Sequence, residues 1–292
     1  FVSQGKEAMI AYHEETYQEL ERQGYRVVKG YDKETDRFFD VRKELNPDII
    51  FYTKFWKPHF QNNFYITKFS DKMTFLVPYG FYVAEDKRAM NFELNNMVDG
   101  FFLATPIHKK IAEQEMSNKG KNVIVSGSPK LDVIWEKGYQ PVDGWKKSEK
   151  RKKRIIWAPH HEDNTPAWQY QFDAFYELKN IMFEIAEKYK DEIQIAFKPH
   201  PMLKPKLEKR WGKETMEEYY QKWAELENGQ LEEGEFIDLF LTSDAMIFDS
   251  ISFIGEYTAV NKPALFTVGR NARVWMNEYG KENYEILYHA KE

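Results

Sequence analysis

Apolar residues along this chain switch between two spacings, and the switches mark its elements. Met9, Tyr12, Thr16 and Leu20 recur at helical spacing and are closed by Gly24, which predicts a helix over 5–23. Short apolar runs then alternate with helical patterns. They predict strands at 25–28, 48–53, 73–77, 101–104 and 123–126, with helices at 36–45, stopped by Asn46-Pro47, and at 106–118. From 138 to 154 large aliphatic residues thin out, Gly138, Pro141 and Gly144 interrupt the chain, and a basic run follows, which reads as a linker. The alternation resumes with strands at 155–158, 194–198, 245–248 and 264–268 and helices at 166–190, 215–226, 236–242, 253–260 and 274–288.

Continuous apolar strands separated by helices predict an α/β protein with parallel sheets covered on both faces. The expected organisation is an N-terminal Rossmann-like domain (1–137), a basic linker (138–154), a C-terminal nucleotide-binding domain (155–273) and a last helix (274–292) packing back toward the N-terminal domain. Phe1 and Val2 read as the tail of a strand whose front is missing, as in a piece cut from a longer protein. Two such domains facing each other place the default ligand site in a cleft between their strand C-termini.

Composition narrows the chemistry. With 292 residues and 42% hydrophobic positions, wholesale disorder is excluded. No apolar run approaches the roughly 20 residues that span a bilayer. The absence of cysteine removes disulfides, thiolate nucleophiles and cysteine-ligated metals, and suits a reducing, cytoplasmic setting. A net charge of −5 argues against nucleic acid as a partner.

Five stretches fall where predicted strands end, the place where open α/β sheets bind ligands. Trp157-Ala158-Pro159-His160-His161 ends one strand with two histidines. Adjacent histidines on an extended loop are expected to point in opposite directions, so no shared metal is expected. Lys198-Pro199-His200-Pro201 holds one imidazole between two prolines beside a lysine, a mount suited to a phosphate oxygen or a proton near pH 7. Phe248-Asp249-Ser250-Ile251-Ser252 runs from a strand into a helix start, where hydroxyls and free N–H groups favour an anion, and Glu256 follows within that helix. Ser126-Gly127-Ser128-Pro129-Lys130-Leu131-Asp132 precedes the linker, with Lys130 able to meet a phosphate. In the N-terminal half, Lys57 and His59 follow one strand, and Tyr79 and Gly80 follow another.

Taken in order, these motifs resemble the CDP-glycerol glycerophosphotransferase family, the enzymes that build or prime teichoic-acid-type polyol-phosphate chains. Gly127 to Asp132 is similar to that family's junction motif, Trp157 to His160 to its strand end, His200-Pro201 to its His-Pro pair, and Phe248 to Ser252 to its serine-bearing helix start. One departure stands out. Where the family's polymerases carry a Trp-His-Gly-Thr segment with a histidine base, this chain reads Val77-Pro78-Tyr79-Gly80. A tyrosine, with a pKa near 10, is a poor base at pH 7.

The resemblance implies a GT-B-like fold and transfer of a polyol phosphate from a CDP-activated polyol to a hydroxyl of a polyol-phosphate or polysaccharide acceptor, with release of CMP. It implies catalytic roles for His59, His160 and His200. Ser128, Lys130, Pro159, His161, Lys198, Asp249, Ser250, Ser252 and Glu256 would bind the donor, and Lys57, Tyr79 and Gly80 would lie on the acceptor side. No carboxylate cluster marks a magnesium site, so no cofactor is expected and metal is expected to be dispensable. The alternatives are an inverting sugar transferase using a nucleotide sugar, and a non-catalytic binding module of a larger polymer synthase. Seven cations between Lys146 and Arg154, opposed by Glu149 alone, offer peripheral attachment to the anionic inner face of a plasma membrane, or a solvated linker.

Overall fold

The computed structural model describes residues 17–32, 34–56, 62–161, 173–269 and 275–290. It divides into two units, residues 1–80 with 86–127 and residues 81–85 with 128–292.

In the first unit, the helix expected at 36–45 gives way to a hairpin. Strands β1 (Tyr31–Asp32) and β2 (Arg37–Phe38) pair antiparallel. The Asp32 carboxylate closes the turn by accepting the Glu34 N–H at 2.9 Å and the Thr35 hydroxyl at 2.7 Å, a local bond that competes with helix. Only Val41–Glu44 remains helical, capped by the Asp40 side chain. Residues 25–28, expected as a strand, form none.

A four-stranded parallel sheet follows, in the order β3 (Ile49–Tyr52), β4 (Met73–Leu76), β5 (Gly100–Leu103), β6 (Val123–Val125). Each step moves in the same direction across the sheet. Right-handed crossovers therefore deliver all three connections to one face. On that face Tyr52, Leu76, Phe101, Leu103 and Val123 are buried, as are Leu94 of the helix Glu93–Met97 and Ala112 of the helix Pro106–Glu115. The other face departs from the expected double cover: Ile49, Phe51, Met73 and Ile124 are exposed.

The second unit holds six parallel strands: β7 (Lys153–Ala158), β8 (Ile193–Phe197), β9 (Gly229–Leu231), β10 (Ala245–Phe248), β11 (Ala264–Phe266) and β12 (Tyr288–His289), in the order β12-β11-β10-β7-β8-β9. The chain winds outward from β7 through β8 and β9, then returns to the other side of β7 and winds the opposite way. Both faces are consequently covered. Trp157, Ile195 and Phe197 pack with Phe175 and Trp223 on one, while Ile156, Ala158, Met246 and Phe248 are buried on the other. The reversal of winding lies between β7 and β10, and their aligned ends, Ala158 and Phe248, open onto the histidine and serine motifs.

Residues 138–154 are not a free linker. Trp145 is buried with its indole N–H on the Thr242 hydroxyl at 3.0 Å, and the Lys146 ammonium donates to the carbonyls of Ala224 and Leu226. One aromatic anchor and these buried bonds fix a stretch whose composition reads as solvent-exposed. The closing helix is shorter than expected, Glu278–Glu285, and is followed by the edge strand β12. Its neighbours are residues 81–85, which belong to the same unit. Tyr279 stacks on Phe81 at 5.6 Å, Asn277 N–H donates to the Val83 carbonyl at 2.9 Å, and a Cβ on Gly280 would stand 2.7 Å from that carbonyl. Close backbone approach therefore requires glycine at 280.

Candidate active site

Two strand ends of the second unit, those of β7 and β8, carry the three histidines to one point. Beyond Ala158, Pro159 leads to His160 and His161. Beyond Phe197, the ladder continues as Lys198 N–H to Trp157 O at 2.8 Å and His200 N–H to Pro159 O at 3.0 Å. That extension sets His200 against the neighbouring loop. The rings of His160 and His161 stack at 4.2 Å, and His200 lies 4.9 Å from the first and 4.2 Å from the second. The expectation that the adjacent histidines point apart is thus corrected. Both rings lie against the same neighbour, His200.

Burial holds all three imidazoles neutral at pH 7. It pushes His160 well below the usual histidine range, with His161, His200 and Lys206 adding to the effect. Burial, His200 and Lys206 bring His161 down to about 3, and burial with Lys206 brings His200 to about 4. Each ring therefore offers one N–H and one lone pair. For His200 the assignment follows from geometry. Its Nδ1 accepts the Met202 N–H at 3.1 Å, so the proton sits on Nε2.

This chemistry bears on whether the cluster suits a metal or an anion. The ligand-capable atoms of His160, His161 and His200 all lie within 4.8 Å of one another, close enough to be drawn around one ion. A metal-bound histidine, however, donates its second ring N–H outward to an acceptor. His200 does the reverse, and Lys206, whose ammonium donates to the His161 carbonyl at 3.0 Å, brings positive charge nearby. An N–H donor beside a lysine suits an anion.

Asp249, expected to contact the donor, is bonded to backbone. It is fully buried, and its two carboxylate oxygens accept the backbone N–H groups of His160 and Ala174, the latter at 2.7 Å. Burial raises its pKa and these bonds pull against that rise. The side chain clamps the end of β7 to the chain ahead of the helix Phe175–Leu178. Ser250, not Ser252, occupies the cap position of the helix Ile251–Tyr257, with no side-chain capping bond, and the two hydroxyls lie 3.0 Å apart. Both are thus turned toward each other at the first turn, next to the histidine loops.

Lys130 and Glu256 meet. Glu256, expected among the donor-binding residues, is 3% exposed and paired with the Lys130 ammonium at 3.2 Å. Burial raises the Glu256 pKa and Lys130 opposes it. The same ammonium lies 4.3 Å over the Phe236 ring. Ser128 starts the short 3-10 turn Pro129–Leu131 that carries Lys130, and Gly127 before it has φ 83, a value that favours glycine. Lys198 is buried, its ammonium on the Gly234 carbonyl, and burial lowers its pKa against Glu232 and Glu235. It serves the loop after β9 and is not presented to solvent.

In the first unit, Tyr79 is exposed, its ring 6.2 Å from Trp56, and Gly80 stands in open space where nothing requires a glycine. Lys57 and His59 lie outside the described residues. The sequence reading missed Lys206, Met202 and the Ala174 amide. Lys206 sits on a helix, Leu203–Trp211, that Pro205 had concealed, although proline is tolerated in a first turn.

The chain is 27% identical over 155 residues to a teichoic acid ribitol-phosphate polymerase, TarL, of Staphylococcus aureus, and 28% over 153 residues to a second, TarK. The aligned stretches cover 51% and 50% of this chain but only 25% and 27% of those relatives. Among solved structures, the wall teichoic acid polymerase TagF, as an H444N variant soaked with CDPG, superposes with a TM-score of 0.51 at 15% identity, over 75% of this chain and 54% of that one. A UDP-N-acetylglucosamine 2-epimerase from Listeria monocytogenes, named as putative, gives 0.50 at 20% identity, over 79% and 60%. These likenesses establish a GT-B-type fold of two parallel α/β units. The family model for CDP-glycerol:poly(glycerophosphate) glycerophosphotransferase matches residues 77–269, more than half of the chain, and the chain belongs to that family.

Proposed function

We propose that the chain transfers a polyol phosphate from a CDP-activated polyol to a hydroxyl of a cell-surface polymer. The observation that carries this reading is the convergence of His160, His161 and His200 at the reversal of winding, with Ser250 and Ser252 on the adjoining strand end. Three neutral imidazoles present N–H groups without bringing fixed charge, and Lys206 supplies a cation nearby. That set suits a diphosphate.

Phosphoryl transfer depends chiefly on in-line positioning and on neutralising phosphate oxygens. In the proposed reaction His200 Nε2–H and the serine hydroxyls hold the diphosphate. The acceptor oxygen bonds to the β-phosphorus, the bond to the bridging oxygen breaks, and CMP leaves with that electron pair. The acceptor proton passes to a histidine lone pair, at His160. The step needs no metal, and turnover is expected to survive EDTA.

The test is a thermal-shift panel of CDP-glycerol, CDP-ribitol, UDP-sugars and CMP, followed by assay of CMP release with a polyol-phosphate acceptor. A donor at about 100 times its dissociation constant should add roughly 2.7 kcal/mol. Stabilisation by UDP-sugars alone, or CDP-polyol binding without CMP release, would overturn the reading.

A further inference from the structure

Behind the histidine loops two buried carboxylates meet. Asp249 is 1% exposed and Asp173 is 4% exposed. Both Asp249 oxygens are taken by backbone donors, one by the His160 N–H and the other by the Ala174 N–H at 2.7 Å. Asp173 Oδ1 accepts the Phe175 N–H at 2.6 Å, and the Asp173 side chain is also hydrogen-bonded to that of Asp249. Two ionised carboxylates have no proton with which to make such a bond, and two like charges in contact cannot both persist in a buried site. One member of the pair therefore carries a proton. Donor and acceptor accounting places it. Asp249 accepts at both oxygens, as an ionised carboxylate does, whereas Asp173 accepts at Oδ1 and keeps the buried Oδ2 for the bond to Asp249.

We infer that Asp173 is a positioning residue, a neutral carboxylic acid whose proton bridges to Asp249 and holds that carboxylate against the His160 amide. Loss of the shared proton would set two anions against each other and loosen the loop that carries His160 and His161. The pair is thus a proton-dependent lock on the histidine cluster, and the inference does not depend on which group is transferred there. Burial raises the Asp249 pKa to about 7, against the pull of its N–H donors and of Asp173. That titration belongs to the pair. Because it is raised in the folded chain, it adds stability at low pH that is lost as pH rises toward 7. Among the described residues, the neighbouring loops and helices bring His160, His161, His200, Lys206, Glu177 and Glu256. Burial keeps the three imidazoles neutral until pH is well below that window, with His161 at about 3 and His200 at about 4. Glu177 is exposed, Lys206 is bonded to the His161 carbonyl, and Glu256 is paired with Lys130. All of these are common to the parent and to variants at 173, so they cancel when the two are compared.

The test compares Asp173→Asn with the parent in the full chain. An amide at 173 still accepts from Phe175 and donates to Asp249, but it has no proton to lose. Measured by chemical denaturation, its unfolding constant relative to the parent should fall by up to about tenfold per pH unit between about pH 5 and 7 and level off above. Asp249→Asn behaves differently, because its amide nitrogen must face the N–H of His160 or Ala174, and at pH 6 it should unfold at lower denaturant than Asp173→Asn. The effect on the site is read from the His160 backbone amide, identified among the seven histidines by isotope-labelled histidine and by its loss in His160→Gln. Its resonance should move through the same pH window in the parent and stay in place in Asp173→Asn. Parallel stability curves for the two proteins would overturn the inference. So would equal tolerance of asparagine at 173 and 249, a His160 amide that ignores pH in the parent, or failure of Asp173→Asn to fold, since its amide supplies the same donor.

Discussion

The two sheets are built from similar strands and differ in winding. The first runs β3-β4-β5-β6 in one direction, while the second reverses beside its central strand. The reversal has two consequences. It sends helices to both faces, so Trp157, Phe197, Met246 and Phe248 are all buried. It also parts the connections at the ends of β7 and β10, and there His160, His200, Asp249 and Ser250 gather. The first sheet has no reversal among the described strands, and its polar groups at strand ends, such as Tyr79, are exposed and dispersed. Winding order thus decides where chemistry collects.

Two carboxylates allow the comparison to be broken directly. Asp249 binds two backbone N–H groups in the buried reversal, and Asp99 binds the Thr74 N–H at 2.7 Å and hydroxyl at 3.1 Å in the first sheet. Asp99 is exposed, so water replaces it when it is removed. Asp249→Ala should cost about 3 kcal/mol or more, because each orphaned buried N–H costs about 1–3 kcal/mol. Asp99→Ala should cost about 1 kcal/mol. Chemical denaturation of both variants checks this, and equal losses would erase the distinction between the sheets.

The next largest effect is expected at His200. His200→Ala should keep the fold and lower turnover at least a hundredfold, about 2.7 kcal/mol of barrier. Tyr79→Phe, on the first sheet, should change turnover less than threefold. Steady-state rates of CMP release decide; comparable losses would place the chemistry in both units.

Much of this was legible beforehand. Strands 73–77, 155–158 and 245–248 were marked by apolar runs closed by Pro or Asp, and His200 by its flanking prolines. Other features depend on tertiary contacts that local pattern does not encode. β9 and β12 have three and two residues, too short to show alternation. The loop that carries the two stacked histidines is tied through the His160 N–H to Asp249, 89 positions away. The buried partnership of Lys130 and Glu256 spans 126 positions, and neither residue's type announces it. The bare sheet face follows from strand order, which no single strand reveals.

A smaller effect is expected from pH. Histidines held below their usual pKa cost the folded state nothing above pH 6.5, where unfolded and folded chains are both neutral. As pH falls below 6.5 the unfolded chain takes up protons first, so stability declines until the folded form protonates, near 4 for His200. The raised Asp249 acts oppositely, with folded-state protonation adding stability that is lost as pH rises. The difference between parent and His200→Ala isolates the histidine contribution. Between pH 7 and 4.5 the variant should lose about 2 kcal/mol less than the parent. Parallel stability curves would mean that His200 is solvated.

The smallest effect concerns the basic run. Its seven cations suggested a membrane-facing patch, but the second unit answers several of them internally. Arg151 bonds the Asp244 carboxylate at 3.0 Å, with Lys153 at 3.9 Å from the same group, and Arg154 pairs with Asp143 at 2.9 Å. Lys146 is spent on two carbonyls. Among the described residues, Lys147, Lys150 and Lys152 have no acid partner. Each cation close to an anionic surface contributes about 1 kcal/mol, and only when it reaches that surface. Lys152 is half-buried, which leaves two fully exposed lysines to act. Replacing Lys147, Lys150 and Lys152 by glutamine should therefore lower co-sedimentation with anionic vesicles less than tenfold. The change should vanish at 0.5 M salt, where screening shortens the reach of exposed charges to about 4 Å. A hundredfold loss would show that the paired arginines also face the membrane, and that the second unit's surface charges are less committed to its own acids than these bonds indicate.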